Sequence, residues 1–200
     1  MSPIKVRISF GAFLLLCAFL LLSTLEVFFA SMLAIAVHEA GHYAALCSMG
    51  NGVKRMSVGG MGMTMHPKKP LSYGRELLAL LAGPGANVLL FFLLGALGTA
   101  WPCAYILSGA QLLLGVFNLL PVCGLDGSSI LWILCALVWE PDTADRITER
   151  VSLLFSTALV LLAGILVCRF QSGLLLLWTA MGLFLHGLRQ NGLVKRQGKR

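Results

Sequence analysis

The chain contains eight carboxylates, and only Glu39 and Asp126 are closely flanked by apolar sequence. Glu26, Glu76, Glu140, Asp142, Asp145 and Glu149 lie in turns, loops or span ends. An ionisable group inside an apolar run is costly and is a functional-site candidate by default. Glu39 lies in AVHEAGHYAAL, with His38 and His42 four residues apart. On a helix that spacing puts both imidazoles on one face. Two such imidazoles can hold one Zn²⁺, with Glu39 beside them to activate a water. Three polar side chains in an apolar span without a shared partner would be hard to tolerate. This weighs against a chance occurrence of the pattern.

A catalytic zinc usually takes three protein ligands and keeps one position open. Asp126 is the better third candidate. It lies in FNLLPVCGLDGSSIL, where Pro121, Gly124 and Gly127 interrupt helix geometry. Irregular backbone at membrane depth suits a lined cavity rather than lipid contact. Cys123 is a rival, although a packed thiol is the commoner role. His66, near a loop, and His186, near the end of the last span, read as interfacial or structural histidines.

These residues need a frame, and composition supplies it. The chain is 58% hydrophobic and 12% charged, against about 25% charged in soluble domains. It reads as an all-α polytopic membrane protein with a single domain over 1–200. A spanning helix needs about 20 mostly apolar residues. About six spans are predicted, near 8–22, 27–49, 77–97, 104–120, 151–167 and 173–188. Lys5 and Arg7 precede the first span and resemble a signal peptide's start, but with no small-residue cleavage site the segment reads as a retained span. Basic residues also gather between the second and third spans and after the sixth, which predicts both termini in the cytoplasm. That placement explains the net charge of +7 without nucleic acid, since no basic patch is interleaved with aromatics. The six cysteines form no C-x-x-C pair, so neither a disulfide framework nor a cysteine-based zinc site is expected.

Between the second and third spans, residues 53–66 read VKRMSVGGMGMTMH. Gly59, Gly60 and Gly62 make this too glycine-rich for a span. It reads as a re-entrant hairpin or loop dipping into the membrane, or equally as a plain cytoplasmic loop. Residues 140–150 read as a connection in which Asp142 caps a short helix starting on the membrane surface.

The ordered motifs resemble the site-2 protease family of intramembrane metalloproteases, in particular its small bacterial branch typified by sporulation factor IVFB. The family's H-E-x-G-H appears as His38-Glu39-Ala40-Gly41-His42. Its Asn-x-x-Pro run ending in Asp-Gly appears from Asn118 and Pro121 to Asp126-Gly127, with Gly124 where the family often has a second proline. Gly-Pro-x-x-Asn appears as Gly83-Pro84-Gly85-Ala86-Asn87, and the glycine-rich segment as Gly59-Gly60-Met61-Gly62. The resemblance implies one zinc per chain and hydrolysis of a peptide bond in or near the span of a membrane-tethered substrate, such as a pro-sigma or anti-sigma factor. It implies a bacterial cytoplasmic membrane; with no appended nucleotide-sensing domain in the sequence, ligand regulation would need a partner in the membrane. Asn118, Asn87 and the three glycines would hold the substrate backbone; both asparagines could equally be amides packing helix against helix.

Two other classes compete. A polytopic metal transporter would offer polar sites in relay across the bilayer, whereas the polar groups here converge on one candidate site. An inactive binding relative would have no need for Glu39. The CAAX-type zinc proteases share H-E-x-x-H but would bring a glutamate ligand, and no intramembrane glutamate remains beyond Glu39.

Overall fold

A computed structural model describes residues 5–8, 10–59, 62–98, 103–170 and 174–197. The chain divides into two compact units, Met1–Leu119 and Leu120–Arg200.

The first unit contains β1 (Lys5–Ile8), α1 (Phe10–Leu22), α2 (Leu25–Ser48), β2 (Val53–Gly59), β3 (Gly62–Pro67), α3 (Tyr73–Leu97) and α4 (Cys103–Asn118). Thr24 caps α2, its hydroxyl accepting from the Val27 N–H, and Glu26 in the first turn complements the helix dipole. The helix stops at Gly50, whose φ of 69° is left-handed. Gly50 N–H then reaches the Cys47 carbonyl and Asn51 N–H the Leu46 carbonyl, the paired closure that a left-handed glycine permits. Asn51 closes the base of the hairpin that follows, bonding the Lys69 backbone through both ends of its amide at 2.8 and 3.1 Å.

β2 and β3 are antiparallel, with Gly59 opposite Gly62 at the tip and an irregularity between Val53 and Arg55. The two strands thus form a β-hairpin; Gly60 and Met61 lie outside the described residues. Leu46, Val53 and Ala79 form a buried cluster under it, joined by Met56, Met65 and Leu71. β1 pairs parallel with β2, Lys5 opposite Arg55. Lys5 and Arg7 thus belong to a strand instead of merely flanking a span. The period-two alternation of KVRI is a strand signal, but four residues are too few to reveal a partner some 50 positions away.

α2, α3 and α4 pack against one another. α3 turns Ala79, Gly83, Pro84 and Asn87 inward, while Leu78, Leu89, Phe92 and Leu93 are exposed. Small and polar residues inside with large apolar residues outside is the arrangement of a helix that meets lipid. A carbon on Gly41 would stand 2.5 Å from the Ala82 carbonyl oxygen, so glycine there is what permits α2 to approach α3.

The second unit contains α5 (Asp126–Ala136), α6 (Pro141–Phe170) and α7 (Leu174–Gln197). α6 begins at Pro141, with Asp142 in its first turn, and runs unbroken to Phe170. Residues 140–150 are thus not a connection with a separate surface helix. Proline suits the first helical position and the acid complements the dipole there, so a polar segment becomes the opening turns of a long helix. α5 has 11 residues, too few for the length criterion that located the other helices, and the sequence reading passed over it.

α3 and α6 are long and apolar enough to cross a bilayer, as expected of a membrane protein. Among the described residues these are the two helices that meet that length and composition. The 16 residues of α4 extend about 24 Å at the helical rise, and α2 carries His38, Glu39 and His42 in its second half.

Candidate metal centre

The geometry of the paired histidines follows from α2 lying against α3. The rings stand nearly perpendicular, with centroids 4.6 Å apart and an 84° interplanar angle. His38 is buried and His42 partly so. Each ring is held at its far nitrogen. His38 Nδ1 lies 2.8 Å from Asn87 Oδ1, and His42 Nδ1 lies 2.7 Å from the Ala79 carbonyl oxygen.

Those contacts decide where the protons sit. The Ala79 carbonyl can only accept, so His42 carries its proton on Nδ1. Asn87 donates its amide N–H groups to the Ala34 carbonyl at 3.0 Å and to Gln111 Oε1 at 2.6 Å. Its Oδ1 is therefore the atom facing His38, which also carries its proton on Nδ1. Both Nε2 lone pairs then point into the same space, 3.0 Å apart. Two neutral lone pairs at that distance repel, and a cation beside them removes the repulsion. Two nitrogens bound tetrahedrally to one zinc at 2.0–2.1 Å would stand about 3.4 Å apart, close to this separation. The donor set fits Zn²⁺, and the bonded far nitrogens are the support that ligating histidines ordinarily have.

The Gly-Pro-x-x-Asn element of α3 serves this pair twice. A Cβ on Gly83 would clash with the Nε2 edge of the His42 ring, 2.5 Å from Cε1 and 2.8 Å from Cδ2. Asn87, with no exposed surface, anchors His38. The structure thus places Asn87 behind a histidine, in the helix-bridging role, and not on a surface open to substrate. Gly83→Ala should keep α3 helical, alanine being favoured there by roughly 1 kcal/mol over glycine, while its methyl displaces the His42 ring. It should still weaken zinc binding roughly 10–100-fold, the usual effect of disturbing a ligand's support. Chelator competition on the purified variant measures this, and unchanged affinity would mean that the His42 position is not critical.

Glu39 follows His38 on α2 and is partly buried. In the second unit, Asp126 is the first residue of α5. It is delivered by a tight turn in which Val122 N–H bonds the Leu120 carbonyl and Leu125 N–H the Val122 carbonyl. Gly124 takes φ 96°, a left-handed conformation that proline cannot adopt, so the proline common at this place in the family would not fit this turn. Ser152 on α6 secures the turn, its Oγ accepting the Cys123 N–H at 2.6 Å. Burial, and then the Glu149 carboxylate, raise the Cys123 thiol above its ordinary range. That favours the neutral thiol over the thiolate a metal would need.

The other candidates lie elsewhere. His66 is exposed on β3, and His186 is on α7. Asn118 donates to the Leu114 carbonyl of its own helix. Gly59 and Gly62 pair at the hairpin tip. Two residues escaped the sequence reading. Gln111 and Ser152 act through contacts 24 and 29 positions away along the chain, and only the polarity of Gln111 within an apolar helix hinted at a role.

No protein-family model and no curated protein matches the sequence. Among solved structures, the Site-2 Protease from Methanocaldococcus jannaschii is similar, with a TM-score of 0.72 and 20% identity over 94% of this chain and 91% of that one. The chain has that protein's fold.

Proposed function

We propose that this chain, with the fold of a site-2 protease, is a zinc-dependent intramembrane endopeptidase acting on membrane-tethered proteins. The observation that carries the reading is the convergence of the two histidine Nε2 atoms at 3.0 Å, beside a carboxylate that follows His38 within an apolar helix. His38, His42 and Asp126 would hold the metal, two imidazoles and a carboxylate being a common ligand set for catalytic zinc. When bound, zinc supplies a Lewis acid that polarises the scissile carbonyl and stabilises the charge developing on its oxygen.

The chain's own groups do the rest. Glu39 takes the proton from the attacking water and returns it to the leaving amine. Asn87 and Ala79 hold the rings in the productive tautomer. A substrate helix must unwind before its carbonyl is reachable, and each backbone group left unpaired in lipid costs several kcal/mol. β3 is an edge of the three-stranded sheet, so an extended substrate segment could pair along it. Gly59, Gly60 and Gly62 would admit close backbone approach, and Asn118 would hold the substrate near the turn that precedes Asp126.

Purified protein should contain one zinc per chain and cut a reconstituted single-span substrate. Chelation should stop cleavage and added zinc restore it. Cleavage that survives removal of all metal would overturn the reading. Zinc flux into vesicles without cleavage would favour the transporter.

A further inference from the structure

Gln111 lies on α4 among apolar and small residues and has no exposed surface. Its Oε1 accepts from Asn87 Nδ2 at 2.6 Å. Among the described residues its Nε2 has no hydrogen-bond partner. Burying an amide half satisfied is a cost that methionine, of nearly the same length, would avoid. Packing alone therefore does not account for glutamine here, and the half that is used becomes the informative one.

The used half controls Asn87. An asparagine amide has two orientations differing by a half-turn. In the present one, Oδ1 meets His38 Nδ1 at 2.8 Å, while the amide nitrogen donates to the Ala34 carbonyl at 3.0 Å and to Gln111. The reversed orientation would set Oδ1 against the Ala34 carbonyl, which cannot donate, and offer an N–H to His38 Nδ1. His38 would then keep its lone pair on Nδ1 and its proton on Nε2, and an Nε2–H cannot bind a metal. The Ala34 carbonyl, which can only accept, fixes the orientation, and Gln111 holds the same amide nitrogen in place with a second bond. Gly115, one turn beyond Gln111, lets α4 come near enough: a Cβ there would stand 3.1 Å from Asn87 Cβ.

We propose that Gln111 is a positioning residue for the metal centre, holding Asn87, in the orientation that the Ala34 carbonyl fixes, against His38 so that the ring keeps its proton on Nδ1 and directs Nε2 toward zinc. The proposal rests on the zinc reading of His38 and His42. It makes the ligand's tautomer depend on how three helices pack: α2 carries His38 and Ala34, α3 carries Asn87, and α4 carries Gln111.

The test compares the full-length protein with Gln111→Met and Gln111→Glu. Methionine removes the acceptor at similar length. Glutamic acid, neutral when fully buried, keeps a carbonyl acceptor and alters only the side that has no partner. Two readouts apply: zinc affinity by chelator competition, and the His38 tautomer in zinc-free protein by imidazole ¹⁵N NMR. Gln111→Met should weaken zinc about tenfold, at the low end for residues that support a ligand, and give His38 some Nε2–H form. Gln111→Glu should restore both. Equal losses in the two variants would reduce Gln111 to a packing role, and no loss in Gln111→Met would remove it from the centre. Where the methionine variant does not fold, the glutamate variant decides: a weakened site or altered tautomer there overturns the assignment. His38→Ala separates the two levels. Undiminished zinc in His38→Ala sinks the zinc reading itself, whereas zinc that needs His38 but ignores Gln111 sinks only this proposal.

Discussion

Glu39→Gln should bind zinc like the unaltered protein and cleave its substrate about 10²–10⁴-fold more slowly, the range that a positioned proton-transfer group contributes. The substitution keeps the shape of the side chain and removes its ability to accept a proton. Glu39 stands next to His38 on α2, yet the two imidazoles point their Nε2 atoms at each other, and their far nitrogens are held by Asn87 and Ala79. The far-nitrogen bonds run to Asn87 and Ala79 and do not involve Glu39, so metal content should be unaffected. Single-turnover cleavage of a reconstituted single-span substrate, with metal analysis of the same preparation, measures both quantities. Cleavage near the original rate would remove Glu39 as the base. Loss of zinc together with activity would make it a ligand.

The ligand series should produce the largest losses. His38→Ala, His42→Ala and Asp126→Ala should each abolish stoichiometric zinc and, with it, proteolysis. Their effects on stability should differ. His38→Ala strands the Oδ1 of fully buried Asn87, at a cost of about 1–3 kcal/mol for an unsatisfied buried acceptor. The Asn87 amide bonds His38, Ala34 and Gln111, so Asp126→Ala should spare that network. Thermal unfolding of the zinc-free proteins checks this ordering, since the metal's own contribution is then absent. Full zinc occupancy in Asp126→Ala would exclude Asp126 as a ligand and bring Cys123 or His66 forward.

Local periodicity made much of the site legible. His38 and His42 share a face because a helix repeats every 3.6 residues, and the structure adds only the distance. Glu39 and Asp126 stood out because a charge among apolar residues needs a reason. Gly59, Gly60 and Gly62 ruled out a spanning helix, and strand β2 ends at Gly59 while β3 begins at Gly62. Each of these signals lies within a dozen residues, where covalent geometry and burial cost limit the outcomes.

Contacts between distant residues were decided by tertiary structure. Asn87 read as a substrate contact or a packing amide, and the choice fell to His38, 49 positions away. Gln111 carried no motif; its place behind Asn87 depends on α4 approaching α3. β1 gained its meaning from β2, and α5 was too short for a criterion built on membrane thickness. The residue types of the proposed centre follow from helical spacing and the cost of burying charge. Which nitrogen of His38 holds the proton follows from the packing of α2, α3 and α4, because a tautomer is set by the acceptor that meets the ring.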